Sequence, residues 1–583
     1  MREDTERTAG AVPTHRLRVT AGVAVVAALI LLGWRLTLGA SSDDDGHVVA
    51  LALRLARGDT ALADEMNLQV TGSLLAVPFV WAWDHMVGTT GIVLASRVWF
   101  VVVAGAVGVL TARALRTRYG AGPAALATVA VLVGLPYQLP LLSYASVPVL
   151  ALVLSTAAGI ALRQTRSLAW AAVLGGATAV GTVASPQLAP AFAVTLVLGT
   201  ARVQGARPRV VAAATSLILL AVAAVALLLT AGPASIEESV RFLLAVRGDG
   251  LSPVVRLGRA LGTYEGLRFP LYWPLLACLA LTALGCARPD WRALRLAASA
   301  AGVLWATAVT VGAALGLLPQ LWFGNTVAAL ESVLVLTLAL PVIAELRWSP
   351  RPGDGGDLVA AAVPGLVAAT VIAATTNSGP EYSVHGAALG GLLLVLVVQW
   401  STSADTLRSE PGRRPTTAHA RATLALSAVP TLGMALGLLA LPFHEPGSLG
   451  VDTRITAGPW AGLVTTEGGA ARLTTLTRTV DDATRGGRSV LILGAAGGYL
   501  AANGPMATPA LWLEDYGAAN QKALDWFQRT GRAPDVVLVM ATAEENAGGA
   551  AAWVQRDPLR AWVQTAYPVR HVVPGLGTLL ERQ

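Results

Sequence analysis

Apolar runs of about the length of a bilayer-crossing helix recur from the N-terminus to residue 442, separated by short polar or Arg-bearing connections. A spanning helix needs roughly 20 predominantly apolar residues. About thirteen segments read that way: 19–39, 91–112, 123–141, 143–162, 167–184, 187–201, 209–231, 269–287, 296–317, 323–345, 357–376, 384–400 and 422–442. The shortest, 187–201, is set off from its neighbour by Ser185-Pro186-Gln187, where proline is a good breaker. Three stretches depart from the pattern: 40–90, 232–268 and 443–583. In the last, Val490-Leu491-Ile492-Leu493 and Val536-Val537-Leu538-Val539 are short apolar runs bounded by turn residues, as buried strands are. Ala510–Leu513 and His571–Val573 suggest two more strands, and amphipathic stretches near 471–485, 519–530 and 550–565 suggest helices. The expected fold is an α-helical polytopic membrane protein followed by a small α/β domain.

Composition excludes the alternatives. The 583 residues are 54% hydrophobic and 13% charged, against about 25% charged in soluble proteins. One water-soluble core cannot hide that much apolar surface, and disorder requires low hydrophobicity. The net charge of +7 does not point to nucleic acid, because the positions of the basic residues explain it. With the N-terminus (1–18) cytoplasmic, every inner segment carries arginine: Arg16 and Arg18, Arg113 and Arg116, Arg163 and Arg166, Arg207 and Arg209, Arg292 and Arg295, Arg347 and Arg351, Arg413 and Arg414. The short connections near 142, 186, 320 and 378 carry no Arg or Lys. This is the positive-inside pattern. It makes a plasma-membrane protein whose body is 19–442, with outer loops 40–90 and 232–268 and an extracytoplasmic domain 443–583. The first apolar run is read as a retained span rather than a cleaved signal. Cys278 and Cys286, about 12 Å apart along a regular helix, are too distant for a disulfide.

The chemistry concentrates where the first span ends, in Ser41-Ser42-Asp43-Asp44-Asp45-Gly46-His47. Three acids at a membrane edge are costly unless they face water or a cavity. An apolar helix from Val48 to Arg57 follows and reads as interfacial, with Arg54 and Arg57 available for lipid headgroups. Gly58-Asp59 ends it. A second acidic pair, Asp64-Glu65, comes next with Asn67 and Gln69, and then a Pro78-containing apolar run from Leu74 to Trp83 that is too short to span. His47 reads as a polar surface residue.

That order of features over about residues 17–115 resembles the first extracytoplasmic loop of GT-C glycosyltransferases that use polyprenyl-phosphate sugars, such as protein O-mannosyltransferases and the lipid A aminoarabinose transferase. Asp44-Asp45, with Ala52 and Gly58 downstream, is similar to the acidic signature of that family. The resemblance implies inverting transfer of one sugar from a polyprenyl-phosphate donor to an extracytoplasmic glycan, lipid or protein acceptor. A carboxylate acts there as general base on the acceptor hydroxyl, and the leaving lipid phosphate is stabilised by cations. The base falls on Asp44, with Asp45 and Asp43 as close rivals in a run of three. Asp64, Glu65 and Gln69 are candidate substrate-binding residues. A divalent cation is a possible cofactor, but one His and loose carboxylates specify no metal site.

In the middle loop, Arg256, Arg259 and Arg268 break the positive-inside trend. Arginine suits phosphate recognition, so they are candidates for the donor phosphate, alongside anionic lipid headgroups as partners. Ile236, Val240, Leu243 and Leu244 recur at helical spacing. Glu331, inside a span, suggests an ion pair with Arg97 or Arg35. Asn377, Glu381, Tyr382 and His385 form a polar outer loop, and His385 is a further substrate-binding candidate. In the C-terminal domain, Gly494-Ala495-Ala496-Gly497-Gly498 follows a strand without the spacing of a dinucleotide turn and reads as a tight turn. Trp460, Trp512 and Trp526 are either core residues or platforms for a sugar. The competing functions are a transporter or flippase, for which no two related halves are visible, and a non-catalytic scaffold with an exported binding domain.

Overall fold

A computed structural model describes residues 12–133, 139–246, 252–262, 291–317, 354–375, 439–442 and 445–582, with single positions 277, 280, 281 and 284. The chain is a mostly helical, multi-pass membrane protein with a C-terminal α/β region. The first helices are α1 (Val12–Leu36), α2 (Asp44–Ala56), α3 (Val77–Val87), α4 (Ile92–Tyr119) and α5 (Ala121–Val133). They are followed by α6 (Ser146–Thr165), α7 (Leu168–Ala184), α8 (Ala189–Thr200), α9 (Ala206–Val246) and α10 (Pro253–Gly262). Farther on lie α11 (Arg292–Ala314) and α12 (Asp354–Thr375). Among the described residues, α4, α6 and α9 are long and apolar enough to cross a bilayer. The expected spans at 323–345, 384–400 and most of 269–287 and 422–442 lie outside the described residues, so the count of thirteen is not established.

Small residues let these helices approach closely, as is common between membrane helices. A Cβ on Gly159 of α6 would meet the Cα of Gly199 of α8 at 2.9 Å. α9 bends where the sequence requires it. Gly232 takes φ +77° and ψ +155°, and Pro233 follows. The apolar stretch ends there, and the remaining turns continue toward the middle loop.

The C-terminal region holds a four-stranded mixed sheet. β3 (Val490–Leu493) and β4 (Val536–Met540) are parallel, and β4, β6 (Gly577–Glu581) and β5 (Val569–Val573) run antiparallel in the order β3-β4-β6-β5. Both β3 and β4 are buried throughout, as their unbroken apolar runs demand. The helix α13 (Glu467–Ala483) starts at Thr466, whose hydroxyl accepts from Gly469 N, a standard N-cap. The strand expected at Ala510–Leu513 is instead an extended loop, held by the Gly494 N–H donating to Leu513 O at 3.0 Å. The helix expected at 550–565 is two, Ala550–Arg556 and Pro558–Ala566, divided at Asp557-Pro558.

This region grows out of the first loop. After α1, Val464 of β2 (Val464–Thr465, paired with β1, Thr453–Arg454) donates to Thr37 O at 2.7 Å and accepts from Gly39 N at 2.8 Å. One buried cluster runs from Val48–Leu53 of α2 through Trp460, β3 and β4 to Trp553. Consequently α2 is not an interfacial helix with one face in lipid. Asp45 through Arg54 are all buried, because the helix lies between the spans and the α/β region. An all-round apolar run such as Val48–Leu53 belongs in a core.

Candidate functional site

The site begins with the way α1 stops. The last carbonyls of a helix lack intrahelical partners, and here Arg97 of α4 collects them. Its Nη1 donates to Leu36 O (2.8 Å) and Leu38 O (3.0 Å), and its Nη2 donates to Gly39 O (2.8 Å). Nη2 also reaches Asp45 Oδ2 at 2.6 Å, with both side chains at most 2% exposed. Arg35 supports the same corner, donating to Leu38 O at 2.7 Å. The guanidinium therefore ties the negative end of α1 to an acid at the positive end of α2, the arrangement that helix dipoles favour. The three acids start α2 at Asp44, four residues earlier than the apolar pattern alone suggests.

The three acids are not equivalent. Asp45 is fully enclosed and paired, although its Oδ1 has no hydrogen-bond partner among the described residues. Asp43 is half-buried, and its N–H donates to Ser41 Oγ at 2.9 Å. Asp44 is half-buried and has no ion pair among the described residues. Burial pushes its carboxyl up to about 7, helped by the charges of Asp43, Asp45 and Glu514. Tyr144, in the connection before α6, stands close enough for Asp44 to raise its phenol further above a range already lifted by burial.

Glu514 comes from the C-terminal region and was not a candidate from sequence, 470 positions from Asp44 along the chain. It lines a shallow cleft with Asp43, Gly494, Ala495, Ala496, Trp512 and Leu513. Burial first and Asp43 second push its carboxyl up, while a hydrogen bond from the Trp512 side chain opposes them. The glycine-rich turn after β3 makes this junction possible. Gly497 N donates to Ser42 O at 2.6 Å, and a Cβ on Gly46 would meet Gly497 Cα at 2.6 Å. The turn is thus a close backbone approach to the acid cluster.

The other sequence candidates lie elsewhere. Glu65 is completely enclosed. Its oxygens accept from Arg54 Nη1 (2.9 Å), Leu511 N (2.9 Å) and Asn67 N (3.0 Å). Asp64 accepts from Thr60 N at 2.8 Å and pairs with Arg532. Gln69 exchanges hydrogen bonds with Asn67 at the start of a short 3-10 turn, Leu68–Ser73. Asp64 and Glu65 fasten the first loop to the C-terminal region, and Gln69 braces the loop itself. Arg54 and Arg57, expected on lipid headgroups, do the same work. Arg54 is buried against Glu65, Asp59 and Thr508 O, and Arg57 holds Asp84 and Ala502 O. Arg54, enclosed by two carboxylates, has no surface left for lipid, whereas Arg57 remains partly exposed.

His47, read as a surface residue, is 0% exposed. Neither ring nitrogen has a hydrogen-bond partner among the described residues, and burial brings its pKa down to about 3, so it is neutral. It meets Trp512 edge-on at 5.2 Å. Arg256 lies half-buried on α10 and Arg259 on the same helix. Arg268, His385, Glu331, Asn377, Glu381 and Tyr382 lie outside the described residues. Arg97, offered as a partner of Glu331, is engaged by Asp45. No group of three or more His, Cys, Asp or Glu placed to hold a metal occurs among the described residues.

The fold is similar to the crystal structure of ArnT from Cupriavidus metallidurans bound to undecaprenyl phosphate, with a TM-score of 0.44 and 13% sequence identity, covering 96% of this chain and 97% of that chain. The apo state of the same protein matches with a TM-score of 0.41 at the same identity and coverage. No protein-family model and no curated protein matches the chain.

Proposed function

We propose that this chain is a membrane glycosyltransferase that moves one sugar from a polyprenyl-phosphate donor to a hydroxyl acceptor, with inversion, and that Asp44 is the general base. In this reading the acceptor oxygen attacks the anomeric carbon opposite the phosphate. The carbon–oxygen bond to phosphate breaks, the polyprenyl phosphate leaves with the electron pair, and the acceptor proton passes to the Asp44 carboxylate. The observation that carries the proposal is the unequal treatment of three consecutive acids. Asp45 is paired with Arg97, whereas Asp44 has no ion pair among the described residues, is partly open, and has its carboxyl pushed up to about 7. A general base works best when its pKa lies near the working pH, and perturbed acids without a structural partner favour a functional reading. The motif around Asp44-Asp45 supplies the reaction class. Arg256 and Arg259 on the amphipathic α10, with Arg268 beyond it, are proposed to meet the donor phosphate.

The test is incubation of the purified protein with a small panel of polyprenyl-phosphate sugars and a soluble glycan acceptor, following donor consumption. Wild type consumes at least one donor and Asp44→Asn does not. Equal consumption by the two proteins would remove Asp44 from the reaction.

A further inference from the structure

We infer that α3, with the turn before it, is seated in the lipid leaflet at the end of α4 remote from the arginines of that helix, and that its exposed stripe is a surface for phospholipid. The inference stands apart from the glycosyl-transfer reading.

The residues of α3 divide by face. At 11 residues it is too short to cross a bilayer. Val80 is completely buried. Phe79 stacks on Trp99 of α4, with ring centroids 5.3 Å apart and planes 3° apart. Trp83 is tied down as well, its Nε1 donating to Thr90 O at 3.1 Å. Pro78, Trp81 and His85, spaced i, i+3 and i+7, are exposed instead, with Leu75 before them and Met86 after. Trp81 is 51% and Met86 75% exposed. A row of exposed apolar side chains at helical spacing marks an interaction surface.

The Phe79–Trp99 stack sets the level of α3, and the level selects the partner. Trp99 stands 14 positions before Arg113, where the basic end of α4 begins. At the rise of an α-helix that is about 21 Å. With Arg113 at one edge of a hydrocarbon core about 30 Å thick, Trp99 falls roughly 9 Å inside the other edge. Interfacial helices bury their apolar face to about 5–10 Å from that boundary. Beside Trp99, Val98 and Val102 of α4 are exposed too, so the uncovered surface does not stop at α3. A second protein copy needs no such level, whereas lipid does.

The polar groups of α3 agree with this placement. The Trp81 and His85 rings lie 4.5 Å apart, and His85 Nδ1 is 2.8 Å from Trp81 O. Tryptophan is favoured at the headgroup level, where an apolar ring meets a polar edge. Asp84, the acid of α3, is kept out of lipid. Its two oxygens accept from Arg57 Nε and Nη2 at 3.0 Å each, a bidentate pair. Arg57 Nη1 also donates to Ala502 O at 2.9 Å. Through Arg57, the lipid-seated helix holds the C-terminal region to the membrane surface.

The experiment places one spin label at a time on the full-length protein, in a Cys278→Ser, Cys286→Ser background, reconstituted in nanodiscs of phosphatidylethanolamine and phosphatidylglycerol. Trp81→Cys and Leu75→Cys carry the label on the stripe. Leu229→Cys, at an exposed position in the apolar part of α9, is the lipid reference, and Val572→Cys, at an exposed position on β5, is the aqueous one. The ratio of collisions with oxygen to collisions with a water-soluble nickel chelate is expected to be at least threefold higher at Trp81 and Leu75 than at Val572. Leu75→Cys keeps the test decisive where Trp81→Cys fails to fold. A ratio on the stripe equal to that at Val572 overturns the inference. Spin–spin broadening on the stripe that disappears on dilution with unlabelled protein also overturns it, in favour of a second copy of the chain. None of these readings depends on sugar transfer.

Discussion

Two of the places where this protein buries carboxylates are treated differently. Asp357, in the first turn of α12, is 4% exposed. It is met by Arg163 at 2.6 Å, Arg118 at 3.3 Å and the Tyr119 hydroxyl at 3.3 Å. One acid there faces two cations and a neutral donor. At the start of α2, Asp43, Asp44 and Asp45 are joined by Glu514, and Arg97 is the one cation in a salt bridge with any of the three aspartates among the described residues. Breaking a buried ion pair by removing one partner is strongly destabilising, whereas leaving acids together without counter-ions is a standing cost. The Asp357 network has the character of a latch between α4, α6 and α12. The α2 cluster holds more negative charge than its fold needs, and that excess is what the proposed chemistry uses.

The contrast is sharpest under mutation. Asp44→Asn is expected to lower sugar transfer by about 10²- to 10⁴-fold, the usual share of general-base catalysis, with no loss of folded protein. Donor consumption and thermal unfolding at neutral pH measure the two halves of that statement. Asp357→Ala should do the reverse. It strands Arg163, whose side chain is 8% exposed, and a broken buried pair costs about 3–5 kcal/mol. The variant should unfold early, yet its surviving folded fraction should transfer sugar at the wild-type rate per molecule. A loss of turnover as deep as that of Asp44→Asn, at equal folded fraction, would erase the distinction between latch and site.

A smaller effect tests the junction on which the α2 cluster depends. A Cβ on Gly497 would lie 2.7 Å from Ser42 O and 2.8 Å from Gly46 Cα. These are backbone atoms, so the α/β region must move away. Gly497→Ala is expected to destabilise by about 1–3 kcal/mol, as overpacking does, and to weaken transfer by moving Glu514 off the acid cluster. Gly531, at φ +67° with open space around it, serves as a control: Gly531→Ala is expected to destabilise by strain and leave transfer unaffected. Normal transfer by Gly497→Ala would separate the C-terminal region from the chemistry.

These features differ in how far the sequence discloses them. The long apolar helices α4, α6 and α9 follow from apolar length, and the break in α9 from Gly232-Pro233. The strands Val490–Leu493 and Val536–Met540 follow from short β-branched runs. β6 was missed because Gly-Thr-Leu-Leu-Glu between a turn and the chain end carries no alternation of its own, and its pairing with β4 supplies the order. The acid cluster is visible as three letters, but its inequality is not. That depends on Arg97, 52 positions away, and on Glu514 from the far end of the chain, and no local spacing encodes either contact. The engagement of Arg54 and Arg57 is equally hidden: Glu65 and Asp84 stand farther along the first loop, and the Thr508 and Ala502 carbonyls come from the C-terminal region.

A pH-dependent effect tests whether the excess charge is a real cost. Asp44 has an ordinary carboxyl value of 3.8 when unfolded and about 7 when folded. Between those values the folded protein keeps a proton that the unfolded chain has released, so rising pH weakens the fold, and the contribution is fully lost above about 7. Transfer moves the other way, because the base must be ionised: its rate should rise through about pH 7 and level off. Asparagine in place of Asp44 cannot ionise. Asp44→Asn should therefore melt with wild type at pH 4, pull ahead as the pH rises, and hold a constant lead above pH 7. Thermal unfolding of the two proteins at pH 4, 6 and 8 reads this directly. A lead that is largest at pH 4 would mean that Asp44 is stabilised as a carboxylate, and the α2 cluster would then be no different in kind from the network around Asp357.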